Sequence, residues 1–442
     1  MNSITSLVMI AWIPIVLYLF YRYPASQAVI ISFIVAWLFL PQKAGFSFPG
    51  LPDYERMSAT VYGIILCTFI YDAGRFRQFQ PSWLDLPMLV WCICPLFSSL
   101  SNDLGVYDGM SESLLQTMSY GGPYFLGKLY LSNLTRMRHL AIAIFVSGLA
   151  YVPLCLYEIR FSPQLHRLVY GYHPHIFAQS IRFEGFRPVV FMQHGLAVSM
   201  WMMAATLIGI YLWKTNAIDN IYGIHIRWLV GILAVTLFLS KSAGAYGLLI
   251  LGVVILFFTW QFNSSILLFI LTISIFFYLQ QGVSVNSRLS QQILTTLDTV
   301  APAERLESLE FRFDNEELLK NKAQEKKIFG WGGWGRSRVY DYDWQGEKID
   351  ISTTDSLWII AYGKNGLVGL ISLFSALIAP AIGFILTCSS EALFNKKTAP
   401  VFAIVVVLVL YTIDCLLNNM SNPVFILACG GLSGFVANNI RV

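Results

Sequence analysis

The chain has 442 residues, of which 56% are hydrophobic, 15% aromatic and only 12% charged, and its mean hydropathy is +0.62. Soluble domains carry about 25% charged residues, so a water-soluble enzyme, a nucleic-acid binder and a disordered scaffold are disfavoured together. The 29 Lys+Arg and 25 Asp+Glu leave a net charge of +4, too small to point to a polyanionic partner.

A helix needs about 20 apolar residues to cross a hydrocarbon layer of ~30 Å. Apolar runs fall near 5–21, 25–40, 57–71, 83–100, 113–130, 138–157, 189–212, 226–240, 244–260, 264–280, 356–388, 400–417 and 422–440. They predict an all-α polytopic membrane protein with about 12–14 transmembrane helices, thirteen by direct count. The first run lacks a basic start and a small-residue cleavage site, and a second run follows at once. It therefore reads as a retained helix and not as a cleaved signal. Gly121-Gly122-Pro123 predicts a kink or interruption in the fifth run. Gly363, Lys364, Asn365 and Gly366 interrupt the long run 356–388, which is expected to be broken or strongly tilted. All seven cysteines (Cys67, Cys92, Cys94, Cys155, Cys388, Cys415 and Cys429) lie within or at the end of apolar runs and read as small hydrophobes.

The chain divides into N-terminal helices (1–157), an arginine-containing connector (158–188), central helices (189–280), a long connector (281–355) and C-terminal helices (356–442). Lysine and arginine concentrate in the odd-numbered short connectors, at Arg22, Arg75, Arg77, Lys128, Arg136, Arg138, Lys214, Lys396 and Lys397. The positive-inside rule then places the odd connectors in the cytoplasm and the chain start outside. Both long connectors fall on the external face by the same parity. The segment 282–355 holds 10 Lys/Arg and 13 Asp/Glu, so 23 of the 54 charged residues lie in one connector. Within it, Leu306, Leu309 and Phe313 are spaced as on an amphipathic helix, which would lie along the membrane surface or cap a cavity.

Several side chains carry chemistry on their own terms. Arg182 and Arg187, in Ile181-Arg182-Phe183-Glu184-Gly185-Phe186-Arg187-Pro188, stand at the outer mouth of the seventh span. Their planar, permanently charged forks match phosphate oxygens; as interface anchors they would instead snorkel towards headgroups. His194 is expected about two turns inside that span, as a proton-transfer or substrate-contacting group or as a histidine bonded to a neighbouring helix. Lys241 places a cation in the tight turn Ser240-Lys241-Ser242-Ala243-Gly244-Ala245, for an anion or simply for solvent. Arg305 and Arg312 are two helical turns apart and share a face, with Glu307 and Glu310 close by. Trp331 and Trp334, in Gly330-Trp331-Gly332-Gly333-Trp334-Gly335, suit stacking on sugar rings or an interfacial aromatic belt. Asp355, in Thr354-Asp355-Ser356, is a general base for a sugar hydroxyl or, favoured by spacing, a helix cap. His166, His173 and His175 lack carboxylate or cysteine partners at ligand spacing and read as surface histidines, not as a metal site.

The order of these pieces resembles the O-antigen ligase and polymerase superfamily, which includes exopolysaccharide polymerases. An arginine-bearing external segment leads into a helix, a Ser-Lys-Ser-Ala-Gly-Ala turn follows, and a long loop carries Phe329-Gly330-Trp331-Gly332-Gly333-Trp334-Gly335. Thr354-Asp355-Ser356-Leu357-Trp358 and Gly363-Lys364-Asn365-Gly366-Leu367-Val368-Gly369-Leu370 come last. The resemblance covers about 181–370, and Pro123-Tyr124-Phe125-Leu126-Gly127-Lys128-Leu129-Tyr130 looks like the fifth-helix region of such polymerases. It implies a GT-C-like membrane glycosyltransferase, inverting and without metal or other cofactor, at the periplasmic face of a bacterial inner membrane. Donor and acceptor would be undecaprenyl-diphosphate-linked glycans within membrane lipid, with a flippase and a chain-length regulator as partners and no nucleic acid.

By the same resemblance Arg182 or Arg187 grips the pyrophosphate, Lys241 stands where an arginine is commoner, and Arg312 matches the arginine of the loop helix. Where ligases carry a histidine–asparagine pair, this chain reads Thr354 and Asp355. That departure implies a polymerase-like member with Asp355 as the base and His194 as a second candidate. The alternatives are a ligase proper, a lipid-linked oligosaccharide transporter, which predicts symmetric halves, and a non-catalytic assembly subunit.

Overall fold

The computed structural model describes residues 3–48, 52–182, 184–221, 223–283, 303–333 and 335–440. Each of the thirteen expected apolar runs contains a helix. In chain order these are α1 (Ser3–Arg22), α2 (Ala25–Phe39), α3 (Arg56–Tyr71), α4 (Leu86–Leu100), α5 (Val106–Gln116) with α6 (Gly122–Leu131), and α7 (Leu134–Phe161). After a short α8 (Leu165–Tyr170) come α9 (Gly195–Lys214), α10 (Ile226–Leu239), α11 (Ala243–Phe262) and α12 (Ile266–Val283). The long connector carries α13 (Ala303–Gln324), and α14 (Leu357–Thr387), α15 (Ala399–Leu417) and α16 (Pro423–Ile440) close the chain. Among the described residues, seven helices are long and apolar enough to cross a membrane, and five shorter apolar ones accompany them. The protein is an all-α polytopic membrane protein. Among the described residues its strands are four two-residue or three-residue antiparallel hairpins confined to connectors, among them β1 (Gly45–Phe46) with β2 (Tyr54–Glu55) and β3 (Ile181–Arg182) with β4 (Gly185–Phe186).

The interruption expected at Gly121-Gly122-Pro123 is a π-helical turn over Thr117–Gly121, which joins α5 to α6. Pro123 has no N–H to offer the preceding turn, and a wider turn absorbs the mismatch without ending the helix. Burial sorts the bundle into layers. The spanning windows of α9 and α15 are 89% and 83% buried, whereas those of α1 and α11 are only 28% and 33% buried and form the outer layer. In a membrane small residues let helices approach. At the crossing of α6 and α16 the backbones touch: a Cβ on Gly127 would strike the Leu427 carbonyl, and one on Gly430 the Tyr124 carbonyl.

Connectors meet at two ends of the bundle. At one end the Gln42 side chain donates to the Phe191 carbonyl at 2.7 Å, Gln193 reaches Met420, and Asn102 donates to the Gly330 carbonyl at 2.8 Å. At the other, Arg138 donates to Ala217 O at 3.1 Å and Tyr211 to Leu393 O at 3.3 Å. The first end carries both long connectors; the second carries the basic short ones.

The helix α14 is two helical pieces joined at Gly366, whose φ of +64° breaks the hydrogen-bond ladder. The groups released by the break bond to the long connector. Trp331 N–H donates to Gly363 O and Gly332 N–H to Lys364 O, each at 2.9 Å, while Leu367 and Val368 N–H donate to Lys327 and Ile328 O at 2.9 and 3.2 Å. The two glycine motifs read from the sequence are thus the two sides of one backbone crossing.

Candidate functional site

At the long-connector end, the carboxylate of Glu158, buried near the end of α7, organises the approach to α9. It accepts the Leu165 N–H at 2.9 Å and the Val189 and Val190 N–H groups at 2.7 Å each. Those bonds hold Val189–Gln193 as irregular chain, so α9 begins only at Gly195. His194 is therefore not two turns inside the span, as the apolar run suggested; it is the N-cap residue, at the mouth. Its Nδ1 accepts the Leu196 N–H at 3.0 Å, which assigns the remaining proton to Nε2.

Cations collect around this helix start. The β3–β4 hairpin turns through Glu184 (φ +56°), and Arg187 leaves it to lie buried against Gly195, where a Cβ would meet its side chain. The Arg187 guanidinium donates to Lys241 O at 2.9 Å, and Lys241 Nζ donates back to Arg182 O at 3.2 Å. Lys241 itself adopts φ +52° to make the turn between α10 and α11. The His175 ring stands edge-on to His194, with centroids 4.7 Å apart. Burial first, then the charges of His175, Arg187 and Arg182, push the His194 imidazole down to about 3, so it is neutral near pH 7. Arg182, Arg187, Lys241 and His194 are brought together at a helix N-terminus, a setting that favours bound anions. The cavity between His175, Phe177, Ser180 and His194 measures about 20 Å³, room for a water but not for a sugar ring.

The second set of expected residues lies on α13 and the start of α14. Arg312 is half-buried and within Coulombic range of Glu316 and of Asp414 on α15. Glu316 accepts from Ser356 Oγ at 2.8 Å, from Trp358 Nε1 at 3.2 Å and from Tyr278 OH at 3.5 Å, tying α13 to α12 and α14. Burial pushes its carboxyl above the usual range, against those bonds and Arg312, which pull it down. Asp355 does not cap α14. The N-cap is Ser356, whose hydroxyl is spent on Glu316, and Asp355 stands exposed one residue before it. The Trp331 indole donates to Lys322 O at 2.8 Å and lies under Lys322 Nζ, 3.9 Å from the ring centroid, so lysines cover the face expected to meet a sugar. Trp334 lies outside the described residues, as does the Arg305 side chain.

The histidines expected at the surface separate. His166 is buried, accepting Gln42 N–H at Nε2 (3.3 Å) with Nδ1 2.8 Å from Tyr172 O, while His173 and His175 are half-buried. Sequence reasoning missed Glu158 and Glu316, and it read His175, which packs on His194, as a surface histidine. Glu316 follows Arg312 by four, the spacing that puts two residues on one helix face, and that signal could have found it. No protein-family model matches the chain, and no curated protein matches it.

Proposed function

We propose that this protein is a membrane glycosyltransferase that extends or transfers glycan carried on a polyprenyl diphosphate, at the periplasmic face of a bacterial inner membrane. One observation carries the reading: Arg182, Arg187 and Lys241 are strapped together beside His194 over the N-terminus of α9. Such a cluster suits a diphosphate, the group whose charge grows as the glycosidic bond to the carrier breaks.

In this mechanism the acceptor hydroxyl loses its proton to a base, and its oxygen attacks the anomeric carbon from the side opposite the carrier. The carbon–oxygen bond to the diphosphate breaks, and its electron pair leaves on the phosphate oxygen, which the cations stabilise. His194 already gives its Nδ1 lone pair to Leu196 N–H. It is therefore better suited to donate from Nε2, and the exposed Asp355 carboxylate is the preferred base. The resemblance of the 181–370 segment to O-antigen polymerases supplies the substrate class.

The test uses Arg182, whose side chain is exposed. In the native host, Arg182→Ala is expected to shorten or abolish the glycan ladder while lipid-linked units accumulate on the outer leaflet. An unchanged ladder at normal expression overturns the proposal, and accumulation on the inner leaflet assigns the protein to transport.

A further inference from the structure

The basic end of the bundle holds a polar cavity of about 250 Å³ that the glycan reading does not use. It opens between the connector after α3, the last turn of α6, the start of α7 and the end of α16, and Arg75, Lys128 and Arg136 line it with Gln78, Gln80 and Asn438. Arg75 Nε is 3.1 Å from the Asp72 carboxylate, and Arg136 is close enough to feel both. The Lys128 ammonium is buried on the Asp85 carboxylate and 2.9 Å from Ser82 Oγ, and Asp85 also accepts from Ser433 at 2.9 Å. Among the described residues, three cations (Arg75, Lys128 and Arg136) line or back the cavity, and two of them are paired with the carboxylates of Asp72 and Asp85.

An apolar groove of about 450 Å³ adjoins it, lined by Trp83, Leu86, Leu89 and Ala437. The two meet at a shared polar contact: Lys128 lines the cavity, while its partners Ser82 and Asp85 line the groove. Leu86 and Leu89 are 49% and 43% exposed, and Trp83 is 88% exposed at the start of the span. An exposed tryptophan there marks the level of the headgroups. A soluble anion needs only the cationic half of this cleft. A phospholipid needs both halves in this order, phosphate at headgroup depth and acyl chain along the helices below it, and basic clefts between helices on the side carrying the basic loops suit anionic headgroups.

We infer that this cleft holds one anionic phospholipid of the adjoining leaflet, its phosphate on Arg75 and Arg136 and an acyl chain along Leu86, Leu89 and Ala437. Lys128 is a positioning residue, fixed by Asp85 so that its charge backs the cavity floor. The inference is independent of the glycosyl-transfer proposal, since it uses the other end of the molecule.

The test reads lipid retention by native mass spectrometry. The full chain is released from nanodiscs of phosphatidylcholine containing phosphatidylglycerol with the same acyl chains. Wild-type protein is expected to retain one phosphatidylglycerol. Retention should fall roughly tenfold or more in the Arg75→Gln/Arg136→Gln double variant, which removes two charge-assisted contacts, and also in Leu89→Trp, which fills the groove and leaves every charge in place. Thermal unfolding in phosphatidylcholine alone shows whether each variant is folded; if the double variant is not, Leu89→Trp carries the test. Equal retention of phosphatidylcholine overturns the inference, as does wild-type retention by the folded variants. Glycerol phosphate that competes as strongly as phosphatidylglycerol overturns it too, because the site would then be one for a free anion.

Discussion

Gly330 and Gly366 face each other across the break in α14, and neither has room for a side chain: a Cβ on Gly330 would lie 2.6 Å from Gly366 N. Both also adopt left-handed backbone, with φ of +71° and +64°. Their conformations and their contact are one requirement, met only by glycine on both sides.

Replacing Gly366 by alanine is therefore expected to cost about 2–5 kcal/mol, the sum of left-handed strain and overpacking. Gly346 provides the control. Its φ is +81° but nothing lies within 4 Å of its Cβ position, so Gly346→Ala should cost only about 1–2 kcal/mol. Thermal unfolding of the two variants decides; equal losses would mean the crossing adds nothing to strain.

His194 predicts an acid-sensitive helix start. Its imidazole is held neutral down to about 3 in the fold, against 6.5 in a free chain. The unfolded chain binds the proton first, so stability falls as pH drops from 6.5 towards 3, by about 1.4 kcal/mol per unit in the middle of that window. His194→Asn keeps a capping side chain and should flatten that part of the pH profile. An unchanged profile would place the proton elsewhere.

Glu316 gives the opposite sign. Its carboxyl is raised above 4.5, so the folded chain holds its proton longer and stability declines as pH rises from 4.5 through the folded value. Glu316→Gln keeps an acceptor for Ser356 and Trp358 and should remove that decline. A steeper loss at high pH in the variant would show that the ionised form is the stabilising one.

Asp355→Asn should lower the rate of glycan extension by roughly 10²–10⁴ if the carboxylate is the base, with the unfolding midpoint unchanged because the residue is exposed and caps nothing. Full activity of the variant would move the base elsewhere.

Glu158→Gln leaves a carboxamide nitrogen facing N–H donors that the carboxylate now accepts. Amide exchange at Val189 and Val190 should rise, with a cost of about 1.5–3 kcal/mol for the lost charged bonds. Unaltered protection there would mean that the connector is held by packing alone.

The bundle was legible because every span answers the same demand for apolar length, and each of the thirteen apolar runs contains a helix. The cations at Arg182, Arg187 and Lys241 were legible from their place beside apolar runs. The depth of His194 was not, because hydropathy does not distinguish helix from irregular chain: Val189, Val190, Phe191 and Met192 are as apolar as the helix they precede. What stops them from coiling is a distant carboxylate at Glu158, a contact across 31 and 32 residues of sequence. Asp355 misled for a related reason. Three consecutive residues that favour caps leave the choice to tertiary partners, and Ser356 is drawn to Glu316, 40 residues upstream.

Four backbone hydrogen bonds join Gly363–Val368 to Lys327–Gly332. Lifting that stretch away would break four backbone hydrogen bonds at once, each worth about 0.5–1.5 kcal/mol. The connector is consequently a fixed wall at this point and not a swinging door, and any hinge in it must lie to either side of this crossing.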